Sequence, residues 1–112
     1  VMDAAIQTFG HIDILVANHA YSRMGDLEEL SAAEIDNHLQ VNVRGTLLLV
    51  QAFVAQHNGR PGGRVILLTS GQHLNPMPDE LAYVASKGAL HQLTLSLSAH
   101  LIKRGITVNT VN

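Results

Sequence analysis

The sequence predicts an α/β fold, a doubly wound parallel sheet with long flanking helices, of which this chain supplies about three strands. Three observations carry that reading. Short aliphatic, β-branched runs at Ile12–Ala17, Arg64–Ser70 and Ile106–Val111 have the length and composition of buried parallel strands. Long stretches of helical apolar periodicity lie between them, as a strand–helix–strand crossover requires. Aromatic residues make up only 4% of the chain, so the core must be aliphatic, as in parallel sheets covered by helices.

Composition bounds the function. With 46% apolar and 14% charged residues, the 112-residue chain is globular and fits one domain, residues 1–112. A net charge of −2, without a cluster of Lys or Arg, leaves no electrostatic footprint for nucleic acid or an anionic membrane. No apolar run reaches the length of a membrane span. The absence of cysteine removes disulfides and thiolate metal sites and suits a reducing cytoplasm. The seven histidines follow neither HxxxH nor HExxH spacing, so they are read as structural or surface residues and no metal site is expected.

Taken in order, Val1–Phe9 carries Met2, Ala5, Ile6 and Phe9 on one side and reads as the last turns of an amphipathic helix that Gly10 ends. Ile12–Ala17 is a strand whose only charge is Asp13, which points to a central position rather than a solvated edge. Tyr21–Leu30 is a polar loop. Ser31-Ala32-Ala33-Glu34 is a capping box that starts a long helix at Ser31. Within it Ile35, Leu39, Val43, Leu47, Val50 and Val54 form a stripe, which Leu48, Leu49 and Phe53 widen until one face can meet the sheet and another a partner helix. Asn42 sits beside that stripe, where a buried amide must be hydrogen-bonded or cost roughly 1–3 kcal/mol. Gly45, three residues on, permits close packing there.

Gln56–Gly63 is a turn region leading into the strand that ends at Ser70. Gly71–Glu80 contains Pro76 and Pro78, cannot be helical throughout, and is expected to form an ordered loop over a site, with Gln72, His73, Leu74, Met77 and Pro78 lining a substrate pocket. The last helix opens near Tyr83 and runs to about Arg104, with Tyr83, Lys87, Leu90, Thr94, Leu97 and Leu101 along one side and small residues, Ser86 among them, elsewhere. Lys103 and Arg104 suit its C-terminus, and Gly105 stops it before the third strand.

The chemistry concentrates around this helix. Residues four apart on a helix lie one above the other, so Tyr83 and Lys87 share a face, and a cation beside a phenol favours the phenolate. That makes Tyr83 a candidate proton donor. Ser70 stands thirteen residues earlier, at the carboxyl end of a strand, where open α/β sheets place their sites.

Ser70, Tyr-x-x-x-Lys at 83–87, Asn42 in Val41-Asn42-Val43-Arg44-Gly45, and Ile14-Leu15-Val16-Ala17-Asn18-His19-Ala20 occur together in the order and spacing of one family. The chain resembles the classical short-chain dehydrogenases/reductases along its whole length, most closely those of the 3-oxoacyl-carrier-protein reductase kind and the sugar or polyol dehydrogenases. The resemblance implies a Rossmann-like fold and NAD or NADP as cofactor. It implies reversible reduction of a small-molecule carbonyl, with Tyr83 as general acid/base, Ser70 positioning the carbonyl oxygen, and Lys87 assisting Tyr83 and holding the nicotinamide ribose. Asn42 would sit in a helix irregularity and anchor a proton-relay water, with a plain helix-to-helix hydrogen bond as the alternative. Asn18 and Ala20 would border the cofactor with Tyr83 and Lys87. The family usually has Ala and Gly where His19 and Ala20 stand, and the alternative reading of Asn18 and His19 is that they only satisfy backbone groups at the strand end.

The family's glycine-rich phosphate turn is not in the sequence, so the chain reads as the central, catalytic part of a longer protein and is expected to be inactive alone. The edge of Ile12–Ala17 would then lose a neighbour and expose apolar side chains. Homodimers or homotetramers through the two long helices are expected. Two other functions stay open: a non-catalytic oligomerisation unit of the same architecture, and an extended-family sugar-nucleotide epimerase.

Overall fold

The computed structural model describes residues 1–112. Helix α1 (Met2–Phe9) leads to strand β1 (Ile14–Ala17). Helix α2 (Ala32–His38) continues through a π-helical segment (Leu39–Arg44) into α3 (Gly45–His57), then come β2 (Gly63–Leu68), α4 (Leu81–Leu101) and β3 (Ile106–Val111). The three strands form one parallel sheet in the order β1-β2-β3, with Leu15 opposite Val65 and Val65 opposite Val108. The parallel α/β architecture expected from the sequence is therefore present.

Side chains alternate across the sheet. Ala17, Val65, Leu67, Ile106 and Val108 point to one face and form the core with Val50 and Phe53 of α3 and Leu101 of α4. The opposite face carries Ile14, Val16 and Val111, each more than half exposed, and no helix of this chain covers it. Within this chain β1 lies at an edge of the sheet and carries exposed apolar side chains, as expected for that edge. It is shorter than predicted: Ile12 is held instead by Gln56, whose side chain accepts from Ile12 N at 3.0 Å and donates to Ile12 O at 2.7 Å.

The third strand coincides with its prediction. The second ends at Leu68, although Thr69 N still donates to the Val111 carbonyl at 2.9 Å. Gly105 ends the turn after α4 at φ 73°, and a Cβ there would lie 2.9 Å from the Arg60 carbonyl oxygen, so the reversal into β3 needs a glycine. In α1, Met2, Ala5 and Ile6 are half-buried as the stripe predicts, but Phe9 is exposed.

The largest departure lies in the second long helix. Ser31 is its N-cap, with Oγ accepting from Glu34 N at 3.2 Å, but Glu34 does not close the capping box and bonds Tyr21 and Arg23 instead. The predicted stripe fails in its first half: Ile35, Leu39 and Leu47 are exposed, and the buried face of α3 is Thr46, Val50, Phe53 and His57. The cause is the π segment. Its i→i+5 bonding, seen in Gly45 N donating to the Gln40 carbonyl, adds to each turn and shifts the phase between α2 and α3, which a uniform 3.6-residue period misses. No helix is long and apolar enough to cross a membrane.

Candidate active site

The parallel register brings the carboxyl ends of the strands together: Ala17 lies beside Leu67, and Leu68 beside Val111. Asn18, Thr69 and Ser70 therefore follow their strands on the same side of the sheet, the side on which α4 begins. This is where open α/β sheets bind ligands.

Lys87 links α4 to that edge. It is only 2% exposed, and its Nζ donates to the Leu68 carbonyl at 2.9 Å and sits 5.7 Å from the centre of the Tyr83 ring. Burial pushes the Lys87 amine below its ordinary value, because the charged form has lost its water. Ser70 is bonded through its carbonyl, which accepts from His73 Nδ1 at 3.2 Å, and Tyr83 through its carbonyl, which accepts from Ser86 Oγ at 2.8 Å. Both hydroxyls stay available.

Asn42 is fully buried inside the π segment. Its Nδ2 donates to the Tyr21 carbonyl and to Ser86 Oγ, both at 2.8 Å, while its Oδ1 accepts from Tyr21 N at 2.7 Å. Helix irregularity and helix-to-helix hydrogen bond, set against each other on sequence, are both present. The wider turn leaves the Asn42 carbonyl to accept from Thr46 Oγ1 at 2.7 Å.

Ser86 is the residue that sequence reasoning missed. It was counted as a small packing residue, yet it is fully buried and joins Asn42 to the Tyr83 carbonyl. Its signal was a hydroxyl one position before Lys87 on a helix packed on nearly every face.

A second network fixes the loop after β1. Glu34 accepts from the Tyr21 hydroxyl and from Arg23, each at 2.8 Å. The Tyr21 bond, more than the Arg23 charge, holds the Glu34 carboxyl below its ordinary value, and the same bond raises Tyr21. Buried His38 donates from Nδ1 to the Glu34 carbonyl at 2.7 Å and accepts from Arg23 N at 3.2 Å. The loop then meets the entrance to α4, where Gly25 N donates to the Asp79 carbonyl at 2.8 Å.

Asn18 and Ala20 are both exposed, and no hydrogen bond ties either to Ser70, Tyr83 or Lys87. His19 does satisfy backbone: its Nε2 donates to the Val41 carbonyl at 3.0 Å, and it passes so close to Gly45 that a Cβ there would lie 3.3 Å from the ring. Of the expected pocket residues, His73, Leu74 and Pro78 are exposed, and the five line no cavity. The Gln72 Oε1 atom is buried without a partner. The largest cavity, about 540 Å³, lies between α3 and α4, among Leu47, Leu48, Val54 and Leu97.

These residues suit a nicotinamide cofactor. Exposed Asn18 and Ala20 follow a strand end beside the edge to which Lys87 is anchored, and the Lys87 ammonium has two further hydrogens to give after Leu68 takes one.

The comparisons agree with the geometry. The family model of the short chain dehydrogenases matches residues 1–112. The uncharacterized oxidoreductase YjdA of Bacillus subtilis is 44% identical over 105 residues, 92% of this chain and 42% of that protein. Among solved structures, the angucycline C-6 ketoreductase LanV with bound NADP aligns at a TM-score of 0.86 and 36% identity, over 97% of this chain and 42% of that one. The acetoin dehydrogenase YohF of Salmonella typhimurium aligns at 0.89 and 31%, over 97% and 44%. The chain spans less than half the length of these proteins. A parallel sheet, a Tyr-x-x-x-Lys helix at its carboxyl edge and a family match over every residue agree: the chain belongs to the short chain dehydrogenase family.

Proposed function

We propose that the whole protein interconverts a ketone and an alcohol with NAD or NADP, using Tyr83 as general acid/base. The observation that carries this reading is buried Lys87, anchored to the end of β2 and lying 5.7 Å from the Tyr83 ring. A nicotinamide, when bound, supplies or accepts the hydride. Tyr83 gives its phenolic proton to the carbonyl oxygen in reduction and takes it back in oxidation. Ser70 Oγ donates to the same oxygen, stabilising the negative charge that builds on it. Lys87 keeps a positive charge beside the phenol and has ammonium hydrogens left for the nicotinamide ribose. Asn18 and Ala20 border the cofactor.

Asn42 acts at one remove. Its side chain is taken up by Tyr21 and Ser86, so any relay water must rest on its carbonyl, already shared with Thr46. The ketoreductase and the acetoin dehydrogenase among the structural neighbours favour a ketone over other carbonyls. Pairing of subunits through α3 and α4 is supported by the apolar groove between them. A cysteine-free chain suits the cytoplasm.

Tyr83→Phe in the full-length protein is expected to lower kcat by about 100-fold or more, the range of general acid–base catalysis, with an unchanged circular dichroism spectrum. Near-normal turnover would remove Tyr83 from the mechanism.

A further inference from the structure

His73 and His91 are distant in sequence and adjacent in space. The His73 ring, in the 3₁₀ turn that follows Ser70, and the His91 ring, one helical turn beyond Lys87 on α4, have centroids 5.0 Å apart and planes inclined at 40°. Both residues are exposed. His73 Nδ1 donates to the Ser70 carbonyl, which fixes the tautomer and leaves the Nε2 lone pair without a partner. A backbone carbonyl on the far ring nitrogen is the support that orients metal-ligating histidines.

The spacing suits one shared ion. Two imidazole ligands of a tetrahedral zinc, each bound at about 2.0–2.1 Å, hold their nitrogens roughly 3.3 Å apart. Rings with centroids 5.0 Å apart come within reach of one ion when His73 stays on its Ser70 bond and the His91 ring turns about its soft χ2 torsion. Imidazole selects zinc, copper or nickel over calcium or magnesium.

We propose that His73 and His91 form a two-histidine site for a divalent transition cation, zinc in particular, with water completing the tetrahedron. The ion bridges the turn after β2 to α4, and so cross-links the segment that carries Ser70 to the helix that carries Tyr83 and Lys87. It lies beside those three residues rather than among them. Its effect is to fix the 71–80 loop, and its existence does not depend on the proposed reaction.

The test uses full-length protein stripped of metal with a chelator and titrated with zinc chloride in a calorimeter near neutral pH. One equivalent is expected to bind and to raise Tm, because the ion favours the folded state. His73→Gln and His91→Gln, both surface substitutions, are each expected to weaken binding by about tenfold or more and to abolish the Tm rise. Binding that survives unchanged in either single variant, or no saturable binding up to millimolar zinc, overturns the proposal.

Discussion

Asn42 commits its whole amide group to structure, with two donors and one acceptor all engaged inside the protein. Asn42→Ala strands the Tyr21 backbone and takes away the bond between the π segment and α4. A loss of about 3 kcal/mol in urea unfolding is expected, since each buried group left unpaired costs about 1–3 kcal/mol. Lys87 gives a pH signature. Its amine is lowered in the folded state by burial, so between the folded and the unfolded value the unfolded chain binds more protons and stability rises with pH. The cost of burying the charged amine is relieved as pH climbs from the lowered value towards the unfolded one. The stability of the wild type relative to Lys87→Met is therefore expected to improve on going from neutral to alkaline pH in thermal melts. At this scale the sequence placed Tyr83 and Lys87 on one face because helix geometry is local. It did not reveal Ser86, whose partner lies 44 residues away.

Among the elements, the break between α2 and α3 has the widest consequences. The π segment turns α2 so that Glu34 and His38 face the loop after β1 while Thr46, Val50 and Phe53 face the core. The Tyr21–Glu34 bond has a testable sign. Because the Glu34 carboxyl is held below its ordinary value, the stability it contributes is complete above the unfolded carboxylate range, and it is lost as pH falls through the lowered value. Tyr21→Phe is expected to be less stable than the wild type near neutral pH, with the difference shrinking on acidification in paired melts. A gap that grew in acid would contradict the assignment. The Ser31 cap was legible because capping depends on residues three apart. The π turn left no mark in the apolar periodicity of Leu39–Arg44, and only the resemblance carried by Asn42 implied an irregularity there.

The molecule as a whole is one-sided, with helices on a single face of the sheet and apolar residues of β1 and β3 bare on the other. Its second apolar surface is the groove where α3 and α4 run together, with Leu47 and Leu48 partly exposed. If subunits pair through that groove, Leu48→Asp is expected to shift full-length protein toward monomer in analytical ultracentrifugation while the monomer keeps its fold. An unchanged oligomer would place the interface elsewhere. The sequence by itself determined the strands, the helices, the glycine stop before β3 and the shared face of Tyr83 and Lys87, because each depends on residues within a few positions of one another. The rotated phase of α2, the clamp of Asn42 on Tyr21 and Ser86, and the meeting of His73 with His91 were decided only in the tertiary structure. They follow from crossover and register, which bring together residues whose separation along the chain carries no periodic signal.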